Sequence, residues 1–120
     1  MALDLTDIEI AWMAGLLEGE GYFYIDRRNK ARYKKSTSPP APAITLSMTD
    51  KDVIEKFARL VKKKPWISNR KTVKNKTVYT VYVGDRETLI FLLPRLLPHF
   101  GERRSKIVTE CIHQLTLWSE

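Results

Sequence analysis

Between Ile10 and Leu17 the chain reads IAWMAGLL, a stretch without a single charge that closes on Glu18 and Glu20, split by a glycine. Just ahead, Thr6-Asp7-Ile8-Glu9 has the S/T-x-x-E spacing of a capping box, so a helix starts near Asp7 and runs to about Glu18. A surface helix carries one apolar stripe and a polar back. This one has no polar back. Ile10, Met13 and Leu17 can face the core of their own chain. The opposite side, Ile8, Trp12, Gly15 and Gly19, has to be covered by something else. Ala11, Ala14 and Gly15 would let another backbone come close, and a glycine inside a helix costs roughly 1 kcal/mol relative to alanine, so it needs a packing reason. A second copy of the same helix is the economical partner.

The two acids at the end raise a related problem. A carboxylate at a helix C-terminus is disfavoured by roughly 0.3–1 kcal/mol, because the last carbonyls already present negative charge. If two such helices pack through the Gly15 side, acids from both copies converge and repel further. A divalent cation reverses the sign of that interaction. Oxygen-only ligands suit Mg²⁺ and do not exclude Mn²⁺. The plainer alternative is that both acids are solvated and simply end the helix.

The charge distribution narrows the class of partner. The chain has 120 residues, 43% of them hydrophobic, which is enough for one domain with one core, and the expected domain spans 1–120. Lys and Arg number 21 against 14 Asp and Glu. The imbalance is local: residues 1–20 hold five acids and no base, whereas 26–35 hold six cations against Asp26 alone. Residues 62–76 hold seven cations and no acid, so two short windows contain thirteen of the 21. Clustering of that kind points to a polyanion such as nucleic acid more strongly than net charge does. Cys111 is the one cysteine, which excludes an intrachain disulfide and fits a reducing compartment. The acidic beginning, MALDLTDIEI, resembles neither a signal nor a transit peptide, and no apolar run is long enough for a membrane span. A soluble, intracellular protein without a small-molecule substrate is expected.

After the first helix, residues 22–28 read as an aromatic strand and Asn29 to Pro42 as a loop, basic and then rich in Ser, Thr and Pro. Ala43 to Met48 alternates, with Ile44, Leu46 and Met48 inward. A second helix opens at Thr49-Asp50-Lys51-Asp52, buries Val53, Ile54, Phe57, Leu60 and Val61, and ends at Pro65. Residues 66–73 and 77–83 form another hairpin around Lys74-Asn75-Lys76. Asp85 caps a short helix expected to break at Pro94 and Pro98, and a last helix begins near Arg104. Two αββ units plus extra helix make an α+β domain, with helices on one face of an antiparallel sheet and a basic face opposite. Cys111 and His113 point to different sides of the last helix and cannot form a metal pair.

MAGLLEGEG, residues 13–21, resembles the signature of the LAGLIDADG homing endonucleases, with Met for the first Leu and Glu for both acids. The αββαββα order and the basic hairpins extend the resemblance over nearly the whole chain. It implies a homodimer joined through the motif helices along Ile8, Trp12, Gly15 and Gly19. It implies a saddle-shaped sheet over double-stranded DNA, a long near-palindromic site, and cutting of both strands. The penultimate motif position is Glu20, which the resemblance makes a metal ligand together with the Gly19 carbonyl. The bottom-up chemistry agrees, since phosphodiester hydrolysis needs charge stabilisation and an activated water, both of which Mg²⁺ supplies.

Beyond the motif, the family's polar residue at the end of the second strand falls on Asp50, which could equally be only a helix cap. A basic residue before the last helix falls on Arg103, with Arg104 and Lys106 close behind, and these also read as a generic backbone-binding cluster. The basic residue some members carry on the second helix falls on Ile54, a departure from the pattern. Candidate DNA contacts are Tyr24, Asp26, Arg28, Arg32 and Lys34 on the first hairpin. On the second they are Ser68, Arg70, Lys74, Lys76, Tyr79 and Tyr82, with Arg104 behind. Taken singly, each lysine reads better as a solvated surface charge; taken as a group, they do not. The competing functional reading is a non-cleaving nucleic-acid binder on the same fold, an intron maturase or regulator. A basic protein adaptor would leave the acids unexplained. Glu18 has no assigned role.

Overall fold

The computed structural model describes residues 3–26, 41–71 and 75–117, without the side chains of 68–71. The order is α1 (Asp7–Glu20), β1 (Gly21–Asp26), β2 (Ala41–Met48), α2 (Lys51–Val61), β3 (Trp66–Lys71) and β4 (Thr77–Val83). Then come α3 (Arg86–Leu96), a 3₁₀ turn (Leu97–His99) and α4 (Glu102–Leu117). The strands make one antiparallel sheet in the order β1-β2-β4-β3. This is the expected α+β architecture, αββαββα with a further helix.

Local chemistry sets the starts and stops. The Thr6 hydroxyl accepts from Glu9 N at 3.1 Å, and Thr6 N donates to Glu9 Oε1 at 2.8 Å, so the capping box is complete. The helix then runs to Glu20, further than Glu18, and passes directly into β1. Strand β2 begins at Ala41, inside the segment expected to be loop. Pro42 is tolerated there because only β1 pairs with that end, while β4 joins from Ile44 onward. Asn75, with φ 62°, supplies the left-handed residue before β4, a conformation that asparagine accepts more readily than most.

Pro94 does not break its helix. It sits within α3 on the solvent side, and the carbonyl it leaves unpaired belongs to Ile90, also an exposed position. Arg95 Nη1 donates to the neighbouring Phe91 carbonyl at 2.6 Å and its guanidinium lies 3.9 Å from the Phe91 ring centre. The chain tightens into a 3₁₀ turn only around Pro98.

The core fills the space between the inner sheet face and the helices. Met13 and Leu17 of α1, Phe57 of α2, Leu92 and Leu96 of α3, and Val108 of α4 meet Leu46, Val81 and Val83 there. Each fully buried side chain of this size contributes about 1.5–3 kcal/mol. Among the described residues no helix is long and apolar enough to cross a membrane.

Candidate active site

Helix α1 presents two sides. Ile10, Met13, Ala14 and Leu17 are buried in the core of this chain. Ala14 thus belongs to the inward side, not to the small-residue surface where it was expected. Ile8, Ala11, Gly15 and Gly19 are exposed and, at spacings of three and four, form one stripe, with Ile8 82% exposed. Trp12 flanks the stripe, half-buried, with the Lys56 ammonium 4.1 Å from its ring centre. A Cβ built on Gly15 or Gly19 meets nothing within 4 Å. Nothing among the described residues of this chain therefore calls for a glycine at either position.

The two acids at the end of α1 have different surroundings. Glu20 is exposed at the last helical position. Glu18 faces the start of α4: its Oε1 accepts from Gly101 N at 2.6 Å, and its Oε2 lies 3.7 Å from Arg104 Nε. Arg104 also donates from Nη2 to the Glu18 carbonyl oxygen at 2.8 Å. Helix α1 has no basic residue in its own last turn. Arg104 supplies the cation from another element, where positive charge complements the helix dipole. Its guanidinium lies 5.6 Å from the Phe23 ring centre, and Phe23 meets Phe100 edge-on at 5.5 Å, so the arginine is seated on an aromatic floor.

Three helix ends converge on one end of the sheet. The pair Gly21↔Leu46 sets the entry to β1 beside the exit of β2, so Glu20 and Asp50 leave the same end. The Glu18 contacts bring Gly101, and with it exposed Arg103, to that end as well. Asp50 occupies the N-cap position of α2, and its carbonyl accepts from Ile54 N at 3.1 Å, but its side chain makes no capping hydrogen bond. Ile54, at the position where a base was sought, is fully buried in the core.

The sheet face opposite the helices carries Tyr22, Tyr24 and Asp26 from β1, Thr45 and Ser47 from β2, Thr80 and Tyr82 from β4, and Trp66 from β3. The rings of Tyr22 and Tyr24 stack at 5.0 Å, Ser47 and Thr80 share a hydrogen bond of 2.9 Å, and Tyr82 lies over Gly84, where a Cβ would collide with its ring. Tyr22 and Trp66 are 62% and 50% exposed on this face: alternation from Tyr24 puts Tyr22 there, and the pair Trp66↔Thr80 puts Trp66 there. Tyr79, three residues from Tyr82, faces the other way and packs against the core beside Met48. Lys76 is exposed at the foot of β4. Arg28, Arg32, Lys34 and Lys74 lie outside the described residues, as do the side chains of Ser68 and Arg70.

Cys111 is buried with its Sγ 3.9 Å from the Tyr24 carbonyl, and burial, aided by the nearby Glu110 charge, pushes the thiol up to about 11. It is therefore a packing residue and not a nucleophile. Among the described residues no three His, Cys, Asp or Glu side chains cluster as a metal site. What one chain offers a hard cation is the Glu20 carboxylate and, from the same turn, the Gly19 carbonyl, which belongs to the last carbonyls of the helix that lack helical partners. Both are oxygen donors, the kind that Mg²⁺ takes, and such ions fill the remaining positions with water and substrate phosphate.

No curated protein matches the chain. Among solved structures, the homing endonuclease I-CvuI in complex with its target, in the presence of 2 mM Ca, superposes with a TM-score of 0.61 at 14% identity. That match covers 92% of this chain and 67% of the other. The group I intron-encoded homing endonuclease I-CeuI, complexed with DNA, gives 0.68 at 16% identity over 98% of this chain and 58% of that one. The archaeal intron-encoded homing endonuclease I-Vdi141I, also complexed with DNA, gives 0.56 at 15% identity over 95% and 86%. At such identities the likeness establishes the fold. The LAGLIDADG-like domain family matches residues 7–96, from the first residue of α1 to the last of α3. The chain belongs to the LAGLIDADG-like domain family, with the fold of its homing endonucleases.

Proposed function

We propose that this chain is a site-specific DNA endonuclease that works as a homodimer, cutting both strands of a long, near-palindromic site with the help of a divalent metal ion. One observation carries the reading. The open stripe of Ile8, Ala11, Gly15 and Gly19 ends on an exposed acid, Glu20, whose neighbour Glu18 is already engaged by Gly101 and Arg104. Two stripes packed face to face cover Ile8, give Gly15 and Gly19 their packing reason, and set two Glu20 side chains close together.

In that arrangement Glu20 and the Gly19 carbonyl hold the metal. Bound Mg²⁺ supplies charge stabilisation to the scissile phosphate and a more acidic water. Arg103, exposed at the start of α4, offers a cation to the same phosphate. Asp50, whose carboxylate makes no capping bond, is available to orient a water. The aromatic and hydroxyl face made by Tyr22, Tyr24, Asp26, Thr45, Ser47, Trp66, Thr80 and Tyr82 lies toward the duplex. Basic residues around it, Lys76 among the described ones, meet phosphates. That I-CeuI and I-Vdi141I are complexes with DNA, and I-CvuI a complex with its target, supports this side of the reading.

The direct test is selection of cleaved sites from a randomised duplex library in Mg²⁺. The expected result is a single long, near-palindromic consensus with paired cuts. Sequence-selective retention of DNA without any cutting would instead favour a non-cleaving binder of the maturase or regulator kind.

A further inference from the structure

Glu18 is the motif acid for which neither metal binding nor DNA contact offers a task. Its carboxylate bonds Gly101 N at 2.6 Å, and Arg104 Nη2 bonds its carbonyl at 2.8 Å, so side chain and main chain of one residue are both tied to the start of α4. The flanking residues are the ones of interest: Gly19 and Glu20 follow Glu18, and Arg103 lies between Gly101 and Arg104. The Arg104 side chain is only 11% exposed, and its Nε is buried without a hydrogen-bond partner, 3.7 Å from Glu18 Oε2. A buried charged donor left short of its acceptor is costly, and the Glu18 carboxylate is the group within reach that answers it.

We propose that Glu18 is a positioning residue for the metal site: clamped by Gly101 and Arg104, it fixes the last turn of α1 against the start of α4, and so sets Glu20 and the Gly19 carbonyl relative to Arg103. This rests on the endonuclease reading above. Without the tie, the Gly21 N–H bond to the Leu17 carbonyl and the entry into β1 hold the end of the helix, while the direction of the Gly19 carbonyl has less to fix it. The tie holds that turn from the side away from the open stripe. It also places the neutralising arginine on Glu18 rather than on Glu20, which leaves the Glu20 charge for the cation.

The test uses the full chain and the cleavage site recovered by library selection. Mn²⁺ uptake by the protein–DNA complex is counted by electron paramagnetic resonance, alongside cleavage rate, DNA affinity without metal, and melting temperature. Outer contacts that orient metal ligands are typically worth about 10–100-fold in metal affinity or activity. Glu18→Ala is therefore expected to weaken Mn²⁺ binding by about tenfold or more, with metal-free DNA affinity held within about threefold. Glu18→Gln keeps an acceptor for Gly101 N and is expected to recover most of the Mn²⁺ affinity. Arg104→Lys, which cannot reach the Glu18 carbonyl and carboxylate together, is expected to fall between. Wild-type Mn²⁺ binding in a folded Glu18→Ala protein would overturn the proposal and leave Glu18 a structural tie. If Glu18→Ala does not fold, Mn²⁺ binding by Arg104→Lys equal to that of wild type overturns it instead. Wild-type protein that neither cuts nor takes up Mn²⁺ would overturn the endonuclease reading itself.

Discussion

Two glutamates separated by one glycine meet different fates because their surroundings differ. Glu18 looks toward α4 and finds a backbone N–H and a guanidinium, whereas Glu20, at the last position of the helix, stays exposed. The motif alone names both acids but cannot separate them, since the Glu18 partners lie 83 and 86 residues away along the chain. The same limit applies to Asp50, where the missing capping bond depends on a rotamer that spacing does not encode. Asp85 is the contrasting case, a cap readable from sequence and fully realised: it accepts from Thr88 N at 3.1 Å and pairs with Lys63 Nζ at 2.5 Å. Partial burial works to raise its pKa, but the bonds from Lys63 and Thr88 and the Lys63 charge prevail and hold it at about 2, below the ordinary 3.8. A depressed value means stability that is present above 3.8 and lost as pH falls toward about 2. Asp85→Asn keeps a capping oxygen and loses the charge. It should lower stability near neutrality by less than about 1 kcal/mol, because water screens this half-exposed pair. Melting curves should show the gap from wild type closing between pH 3.8 and about 2; a gap unchanged over that window would refute the assignment.

At the scale of elements, periodicity was the reliable guide. The uncharged run of α1 implies cover on both sides, and one side does bury Ile10, Met13 and Leu17 while the other leaves Ile8, Gly15 and Gly19 open. Alternation in β1 and β2 was equally readable. In β4 the same alternation separates two of the candidate DNA contacts, since Tyr79 and Tyr82 stand at an odd spacing and face opposite ways. Pro94 misled: a helix accepts proline when the carbonyl it orphans points to water, and that depends on neighbours. The open stripe makes the sharpest prediction at this scale. Within one chain the space above Gly15 is empty, and leucine is a better helix former than glycine by up to about 1 kcal/mol, so Gly15→Leu leaves the single-chain fold intact. In a dimer joined through α1 it fills the contact. Sedimentation equilibrium should report two chains for wild type and one for Gly15→Leu, with unchanged circular dichroism. A Gly15→Leu protein that still sediments as two chains would remove the stripe from the interface.

Across the whole molecule, sheet register and the Glu18 tie gather three helix termini, those bearing Glu20, Asp50 and Arg103, at one end of the sheet. The order of elements was legible beforehand, because hydrophobic period and turn residues are local properties. The convergence of the termini was not, since it follows from strand pairing between distant segments. The proposed cutting centre depends on Glu20. On a plasmid carrying the selected site, with Mg²⁺, wild type should convert supercoiled DNA to linear product. Glu20→Gln should bind the site within about threefold of wild type yet lose more than the roughly hundredfold in cutting that an outer contact would cost. Linear or nicked plasmid produced by Glu20→Gln at the wild-type rate would contradict the account at its centre.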